Sequence, residues 1–281
     1  MTPLSFLRQI ANDTPINPKK STNFYPKTLS GWVLKRQNIM KSSRPTNLPL
    51  RPGESIDAFM DGRLSLIQSK DGYRFSIDAV LLAEFVTIRQ GDVIVDLGTG
   101  CGVIPLILLL TKWVGYAFGL EIQEELASQA ARNVHLNGFD DQMGIVLGDI
   151  KNPPIPAESA DVVICNPPYR QIKSGRINPD PRRAIARHEI MAGIDDILVA
   201  TRSILRKRGR FALIYSSTRL ADILARMRRF GLEAKKLQII YPDLNSGAKL
   251  VLVEAILGGR PGLQIGPPII GQGDWENQKL K

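Results

Sequence analysis

Short apolar runs alternate with longer amphipathic or wholly apolar stretches from about residue 53 onward. The short runs are typical of buried strands, and the longer stretches are typical of helices. The pattern predicts strands at 64–69, 92–96, 115–121, 144–147, 161–165, 210–215, 237–241 and 250–255. It predicts helices at 77–86 (capped by Ser76), 103–111, 123–137, 194–205 and 218–230.

This order of elements predicts an α/β fold. Strands that alternate with helices imply right-handed crossovers and a mostly parallel sheet with helices on both faces. The last two predicted strands have no helix between them, so we expect an antiparallel hairpin at one edge of the sheet. No internal repeat is evident.

Residues 1–52 differ from the rest because they show neither a strand period nor a helix period. They contain nine Lys or Arg residues and one acid, Asp13. We expect a basic, mostly disordered extension at 1–52, followed by a single domain at 53–281. Three interpretations stay open: an RNA-binding arm, an organelle targeting segment, or translation from an upstream start with Met40 or Met60 nearer the true one.

Composition adds three expectations. The net charge of +10 suggests an anionic partner such as nucleic acid, but most of the excess lies in residues 1–52. No apolar run is long enough to span a bilayer, so a cytoplasmic protein without a membrane partner is expected. Two cysteines give neither a disulfide framework nor a cysteine-based metal site, so no metal is expected.

The stretch "VIVDLGTGCGVIPL" carries the first chemical signal. It places Asp96 at the end of a predicted strand, and Gly98, Gly100 and Gly102 before the next helix. Glycines at such a turn permit positive φ and let a ligand approach the backbone. A dinucleotide site uses this turn to receive a pyrophosphate, which an acid at its entrance would repel. The same acid suits the ammonium group of an amino-acid ligand.

Two further acids end the next two predicted strands. Glu121 closes "FGLE", where a carboxylate can accept the hydroxyls of a ribose, and Asp149 closes "VLGD", where it can meet the edge of an adenine. Acids at the carboxyl ends of three consecutive strands suit an adenosyl amino acid. We therefore predict that S-adenosylmethionine is the cofactor, bound by Asp96, Glu121, Asp149 and the glycine loop.

The order of these motifs resembles the class I methyltransferase family, and "NPPY" at 166–169 resembles its amino-methylating branch. The resemblance implies a Rossmann-like, doubly wound sheet of seven strands in the order 3-2-1-4-5-7-6, with an antiparallel hairpin at the edge. It also implies methyl transfer to a planar nitrogen, in an adenine, a cytosine or a glutamine amide, with Asn166, Pro167 and Tyr169 as the catalytic residues.

Physical chemistry explains why that motif suits a planar nitrogen. The lone pair of an exocyclic amine is delocalised into its ring, so the amine is a poor nucleophile. Hydrogen bonds from the amine to the Asn166 side-chain oxygen and the Pro167 carbonyl would draw its nitrogen toward tetrahedral geometry. The prolines hold that carbonyl in place, and the Tyr169 ring offers a stacking face worth about 1–3 kcal/mol.

Longer stretches resemble a family of bacterial tRNA methyltransferases that make N6-methyladenosine beside the anticodon of a valine tRNA. They are "GYRFSIDAVLLAEF", "ICNPPYR", "ARHEIMAGIDDIL" and "PPIIGQGDW". The resemblance implies an enzyme acting on tRNA, and it implies that Tyr73, Phe75 and Asp78 close over the methionine part of the cofactor. It covers about residues 61–275 and does not extend to the first 50-odd residues.

A basic loop beside the catalytic motif is the candidate for RNA contact. It carries six basic side chains against one acid, and its place beside the motif favours contact with phosphates over a merely solvated surface. The six are Arg170, Lys173, Arg176, Arg182, Arg183 and Arg187. A second cluster, Arg206, Lys207, Arg208 and Arg210, is interpreted as a solvated turn, and both cysteines as packing residues.

Other functions stay open at this stage. The same motif suits methylation of a protein glutamine amide, or of an adenine in ribosomal RNA or DNA. An inactive RNA-binding module with this fold is the non-enzymatic alternative, which intact Asp96, Glu121, Asn166 and Tyr169 disfavour. We expect a monomer or weak dimer. The sequence alone does not identify the tRNA or the base.

Overall fold

A computed structural model of the protein describes residues 49–70, 75–167 and 192–271. Its strands are β1 (Glu54–Phe59), β2 (Leu64–Ser69), β3 (Asp92–Leu97), β4 (Val114–Glu121), β5 (Met143–Leu147), β6 (Ala160–Cys165), β7 (Leu205–Ser216), β8 (Leu232–Tyr241), β9 (Leu250–Leu257), β10 (Gln264–Ile265) and β11 (Ile269–Ile270). Its helices are α1 (Ile77–Phe85), α2 (Val103–Thr111), α3 (Glu124–Leu136), α4 (Ile194–Ile204) and α5 (Leu220–Arg229), the last preceded by a short 3-10 turn at Ser217–Arg219.

A mostly parallel sheet forms the centre of the fold, as the alternation of elements predicts. Its strands lie in the order β10-β8-β9-β7-β6-β3-β4-β5, and β11 also pairs with β8. Strand β9 runs antiparallel to β7 and β8, and the other pairs in this sheet are parallel. The α/β class with a doubly wound sheet is confirmed.

The expected count of seven strands is not confirmed, because the sheet in the described residues has nine. The two extra strands have two residues each, at Gln264–Ile265 and Ile269–Ile270, and both add to β8. The β8–β9 hairpin is antiparallel as expected, but these short strands cover its outer edge. Strands of two residues have no periodicity from which they could be predicted.

Helices cover both faces of the sheet and create two cores. On β3, Ile94 faces one core, whereas Val95 and Leu97 face the other. Helices α1 and α2 pack on the first side, and α4 and α5 pack on the second. Because both faces are covered, the central strands are apolar at nearly every position instead of alternating.

A separate hairpin, β1–β2, packs beside this sheet, and sequence patterning predicts only its second strand. Strand β1 reads "ESIDAF", with polar side chains at half of its positions and one β-branched residue. The chain that leads into it is held on α3 by Arg132. The Arg132 guanidinium donates to both carboxylate oxygens of Glu54 at 2.8 Å and to the carbonyl of Pro49 at 2.9 Å.

The second arginine cluster is only in part the solvated turn that the sequence suggests, because Lys207 and Arg208 are exposed whereas Arg206 and Arg210 are not. Arg210 is buried, and its Nη2 donates to Oδ2 of Asp92 at 2.5 Å. Arg206 donates to both carboxylate oxygens of Asp161 at 2.8 and 2.9 Å. Residues 206–209 bulge out of the pairing between β6 and β7, which carries both guanidinium groups to acids at the amino ends of β3 and β6. Burial raises the pKa of Asp92 despite this partner.

Candidate active site

The glycine loop turns sharply between β3 and α2. Its three glycines have φ values of 74°, 58° and 82° at Gly98, Gly100 and Gly102, all in the left-handed region that other residues avoid. The backbone N–H groups of Gly98 and Thr99 donate to the carbonyl of Leu120 at 2.8 and 3.0 Å. The loop therefore folds over the end of β4, where a Cβ on Gly119 would lie 2.7 Å from Thr99.

Strand register places the predicted acids and the amide along one edge of the sheet. Leu97 of β3 pairs with Leu120 of β4 and with Cys165 of β6. Glu121 and Asn166 come directly after those two partners, so they flank the end of β3 at the same height. Asp149 follows β5 on the far side of β4. Because neighbouring strands lie about 4.8 Å apart, the edge presents Asp149, Glu121, Asp96 and Asn166 in that order.

Asp96 is a buried acid with no hydrogen-bond partner among the described residues. Its exposed fraction is 1%, and neither carboxylate oxygen has a hydrogen bond to another described residue. Burial raises its pKa from 3.8 to about 7, and the charge of Glu121 acts in the same direction. Thr99 lies close enough to lower the pKa somewhat, but its hydroxyl geometry does not amount to a hydrogen bond. A cationic ligand would offset the free-energy cost of ionising this buried carboxyl group.

Glu121 is also buried, but its carboxylate is already engaged. Oε1 accepts from the backbone N–H groups of Ile122 and Gln123 at 3.0 and 2.9 Å, and Oε2 accepts from that of Gly100 at 2.9 Å. Glu121 thus holds the glycine loop against the start of α3, which the sequence did not indicate. An ionised carboxylate has about four acceptor positions, so Oε2 keeps room for one more donor.

A small pocket brings the loop and two of the acids together. It has a volume of about 30 Å³ and is lined by Gly98, Leu120, Glu121, Ile122, Asp149, Ile150 and Ala192. Asp149 uses Oδ1 to accept from the backbone N–H of Lys151 at 2.9 Å, which leaves Oδ2 for a ligand. A larger, shallow depression of about 760 Å³ lies on the surface of α4 and α5 and contains none of the predicted site residues.

Of the remaining predicted residues, four lie in the described ranges and eight do not. Asn166 is half-buried and Pro167 is buried at the end of β6. Phe75 packs edge-on against Phe59, with ring centroids 5.3 Å apart, and Asp78 lies in the first turn of α1. Eight predicted residues lie outside the described ranges: Tyr73, Tyr169, Arg170, Lys173, Arg176, Arg182, Arg183 and Arg187.

Both cysteines are packing residues, as expected. Cys101 and Cys165 are buried, and burial raises the pKa of Cys101 to about 12 and that of Cys165 well above its usual value. A thiol with so high a pKa is a poor nucleophile. In the described part of the chain, no group of three or more His, Cys, Asp or Glu side chains could hold a metal ion. None of its helices is long and apolar enough to cross a membrane.

Two residues near the site were missed by sequence reasoning. Thr99 places a buried hydroxyl beside Asp96 that bonds to no described residue, and Asn133 on α3 donates to the carbonyl of Cys101 inside the loop. A signal for Asn133 was present: it lies on the buried face of an amphipathic helix, where polar side chains require partners.

A glycine loop, strand-end acids and an adjacent amide on a mostly parallel α/β sheet define a methyltransferase architecture. The model of the methyltransferase small domain family matches residues 74–224. The chain therefore belongs to the methyltransferase small domain family. Family membership confirms the expectation of an S-adenosylmethionine-dependent methyltransferase.

Curated relatives are methyltransferases, and a solved structure has a similar fold. A tRNA1(Val) (adenine(37)-N6)-methyltransferase of Porphyromonas gingivalis is 29% identical over 206 residues, which cover 70% of this chain and 80% of that protein. The enzyme of the same name from Pedobacter heparinus is 26% identical over 205 residues, covering 73% and 86%. A predicted O-methyltransferase from Agrobacterium tumefaciens shares the fold, with a TM-score of 0.56, 23% identity, and coverage of 69% and 86%.

Proposed function

We propose that this enzyme transfers the methyl group of S-adenosylmethionine to the exocyclic N6 of an adenine in tRNA, beside the anticodon of a valine tRNA. The observation that carries the proposal is the position of Asn166 and Pro167, which follow β6 directly beside the edge that presents Asp96, Glu121 and Asp149. Similarity to two curated enzymes named tRNA1(Val) (adenine(37)-N6)-methyltransferase supports the choice of substrate.

The edge suits the three parts of the cofactor. The orphaned carboxylate of Asp96 would accept the ammonium group, because both of its oxygens lack partners among the described residues. The remaining acceptor position on Glu121 Oε2 suits one ribose hydroxyl, and Oδ2 of Asp149 suits the adenine amine. The left-handed glycine loop lets the backbone approach the ligand. Phe75 and Asp78, at the start of α1, would close over the methionine part, together with Tyr73.

When bound, S-adenosylmethionine supplies an electrophilic methyl group on a sulfonium. The protein has to orient the adenine amine and stabilise the positive charge that develops on its nitrogen. The side-chain oxygen of Asn166 and the carbonyl of Pro167 would accept the two amine hydrogens, and these hydrogen bonds strengthen as that charge grows. The Tyr169 ring would stack on the base after it leaves the anticodon stack. No protein base is needed before the methyl arrives.

The wider arrangement follows the same proposal. Under this proposal, the strands from β3 to β9 would form the class I order 3-2-1-4-5-7-6, residues 53–281 would be the methyltransferase domain, and residues 1–52 would be a basic extension. The loop from Arg170 to Arg187 would contact tRNA phosphates. A cytoplasmic enzyme that acts as a monomer or weak dimer fits this role.

Mass spectrometry of nucleosides tests the proposal. Valine tRNA lacking the modification, incubated with the enzyme and S-adenosylmethionine, should gain N6-methyladenosine at position 37, and ribosomal RNA or DNA should gain little. The Asn166→Ala enzyme should lose about 10²–10³-fold in kcat, because the lost acceptor acts mainly in the transition state. Its affinity for S-adenosylhomocysteine should match that of the wild type.

A pair of changes at Tyr169 provides the control. Tyr169→Phe keeps the stacking ring and should stay largely active, whereas Tyr169→Ala should lose both rate and substrate affinity. If the enzyme methylates a protein glutamine and leaves tRNA unmodified, the proposed substrate is wrong. An Asn166→Ala enzyme as fast as the wild type would contradict the role of the amide.

A further inference from the structure

Asn133 of α3 and Asn137, the residue directly after this helix, cover the open edge of the β1–β2 hairpin. Strand β2 pairs with β1 along one edge only, and its other edge faces α3. Asn133 Oδ1 accepts from the N–H of Ile67 at 2.6 Å, and its Nδ2 donates to the Ile67 carbonyl at 3.2 Å. Asn137 makes the equivalent pair with Ser65, at 2.9 and 2.8 Å. Two side-chain amides, one helical turn apart, thus replace a neighbouring strand.

Asn133 has one bond that Asn137 lacks. Its Nδ2 also donates to the carbonyl of Cys101 at 2.9 Å, inside the glycine loop. Asn137 uses its second N–H on the carbonyl of Asn133 in the last turn of α3, at 2.8 Å. Asn133 is fully buried, so its amide and the Cys101 carbonyl have no water to replace a lost bond.

The hairpin in turn holds the chain segment that enters α1. Gln68 of β2 donates to Oδ2 of Asp57 at 2.7 Å, and its Oε1 accepts from the N–H of Phe75 at 3.2 Å. The ring of Phe75 packs edge-on against Phe59 of β1. Through these contacts, the position of the hairpin sets the position of Phe75 and the first turn of α1.

We infer that Asn133 is a positioning residue that couples the glycine loop to the β1–β2 hairpin, and so fixes both walls around the methionine end of the cofactor. The inference rests on the cofactor placement in the proposed function. A side chain that only packed the hairpin would not need its third bond to the loop. The small distance between α3 and the loop adds support, since a Cβ on Gly102 would lie 3.4 Å from that of Ala130.

Matched variants separate positioning from packing. Asn133→Ala and Asn137→Ala each remove both bonds to one residue of β2, but only Asn133→Ala frees the Cys101 carbonyl. In the cofactor-free protein, hydrogen exchange should accelerate at the β2 amides in both variants, and at residues 98–103 only in Asn133→Ala. By calorimetry, Asn133→Ala should bind S-adenosylhomocysteine about tenfold more weakly than Asn137→Ala. KM for S-adenosylmethionine should rise in Asn133→Ala while KM for tRNA stays unchanged.

The outcomes are distinguishable. Equal exchange of the loop amides in the two variants, or equal affinity for S-adenosylhomocysteine, would overturn the coupling. If Asn133→Ala does not fold, Asn133→Asp retains the shape and the acceptor for the Ile67 N–H while removing the donor to the carbonyls of Ile67 and Cys101. Its matched control is Asn137→Asp, which loses the donor to the carbonyls of Ser65 and Asn133. If neither Asn133 variant folds, the amide is a packing group and the inference fails. A wild-type protein that binds S-adenosylhomocysteine but leaves tRNA unmodified would refute the proposed function alone.

Discussion

Replacing Asp96 with asparagine should make the cofactor-free protein more stable while weakening its cofactor binding. The carboxylate is buried, and its oxygens have no hydrogen-bond partner among the described residues. Asparagine has nearly the same shape but carries no charge, so the substitution removes the cost of ionisation without leaving a large cavity. The same substitution removes the negative charge that the ammonium group of the ligand would meet.

The magnitude follows from the pKa. Burial raises the pKa of Asp96 from 3.8 to about 7, which corresponds to about 4 kcal/mol at 1.36 kcal/mol per pH unit. Between these values the unfolded chain has released its proton while the folded protein still holds it. The free energy of unfolding should therefore fall as pH rises from about 4 to about 7 and then level off. Above pH 7 the Asp96→Asn protein should be more stable than the wild type by up to about 4 kcal/mol.

Urea unfolding at pH 5 and pH 8 measures this difference. Burial also raises the pKa of Glu84 to about 7, so the free energy of unfolding falls with pH for this reason in both the wild type and the Asn variant. The difference in stability between the two proteins at each pH therefore isolates the contribution of Asp96. Calorimetry at pH 8 should show weaker binding of S-adenosylhomocysteine to the Asn variant. Wild-type affinity should fall below pH 7 as Asp96 becomes protonated. A variant that is less stable than the wild type at pH 8, or that binds the ligand equally well, would refute the reasoning.

Two further changes test the rest of the site. Glu121→Ala should weaken S-adenosylhomocysteine binding and also lower stability, because the N–H groups of Gly100, Ile122 and Gln123 lose their acceptor at about 1–3 kcal/mol for each one left unpaired. In contrast, Asp149→Ala should affect mainly binding, and equal stability losses in the two variants would contradict this role for Glu121. Replacing Arg182 and Arg183 together with Ala should weaken tRNA binding and reduce the salt slope by up to about one unit per lost phosphate contact. An unchanged slope in a filter-binding titration would show that both arginines face solvent only.

The central elements were predictable because their burial is nearly complete. Helix α2 has the predicted bounds, and the predicted ends of β3, β4, β5 and β6 lie within one residue of those in the structure. An apolar run bounded by glycines or acids leaves few other choices for a chain that must bury it. Strand β1 was missed because its composition is polar, and β10 and β11 because two residues carry no period.

The edge of acids was predictable for a topological reason. Parallel strands end at the same side of a sheet, so acids that follow consecutive strands must meet there. Partners distant along the chain were not predictable in the same way. Arg210 and Asp92 are 118 positions apart, and no local pattern distinguishes a buried arginine from one in a solvated turn. The position of Asn133 on a buried helix face signalled that it needs partners, but not that Ile67 and Cys101 would supply them.

The two central acids show why one site contains both a satisfied and an unsatisfied carboxylate. Glu121 is the last residue of β4, where three backbone N–H groups of the loop and of the start of α3 converge on its carboxylate. Asp96 lies one residue inside the end of β3, where the neighbouring strands take up the backbone donors, and no described residue donates to its side chain. The carboxylate of Glu121 therefore organises the loop, whereas that of Asp96 has no partner in the described part of the chain. In the proposed function, the ammonium group of the ligand would supply the missing partner of Asp96, and the buried, unpaired carboxylate would make the empty protein less stable in return for selective binding.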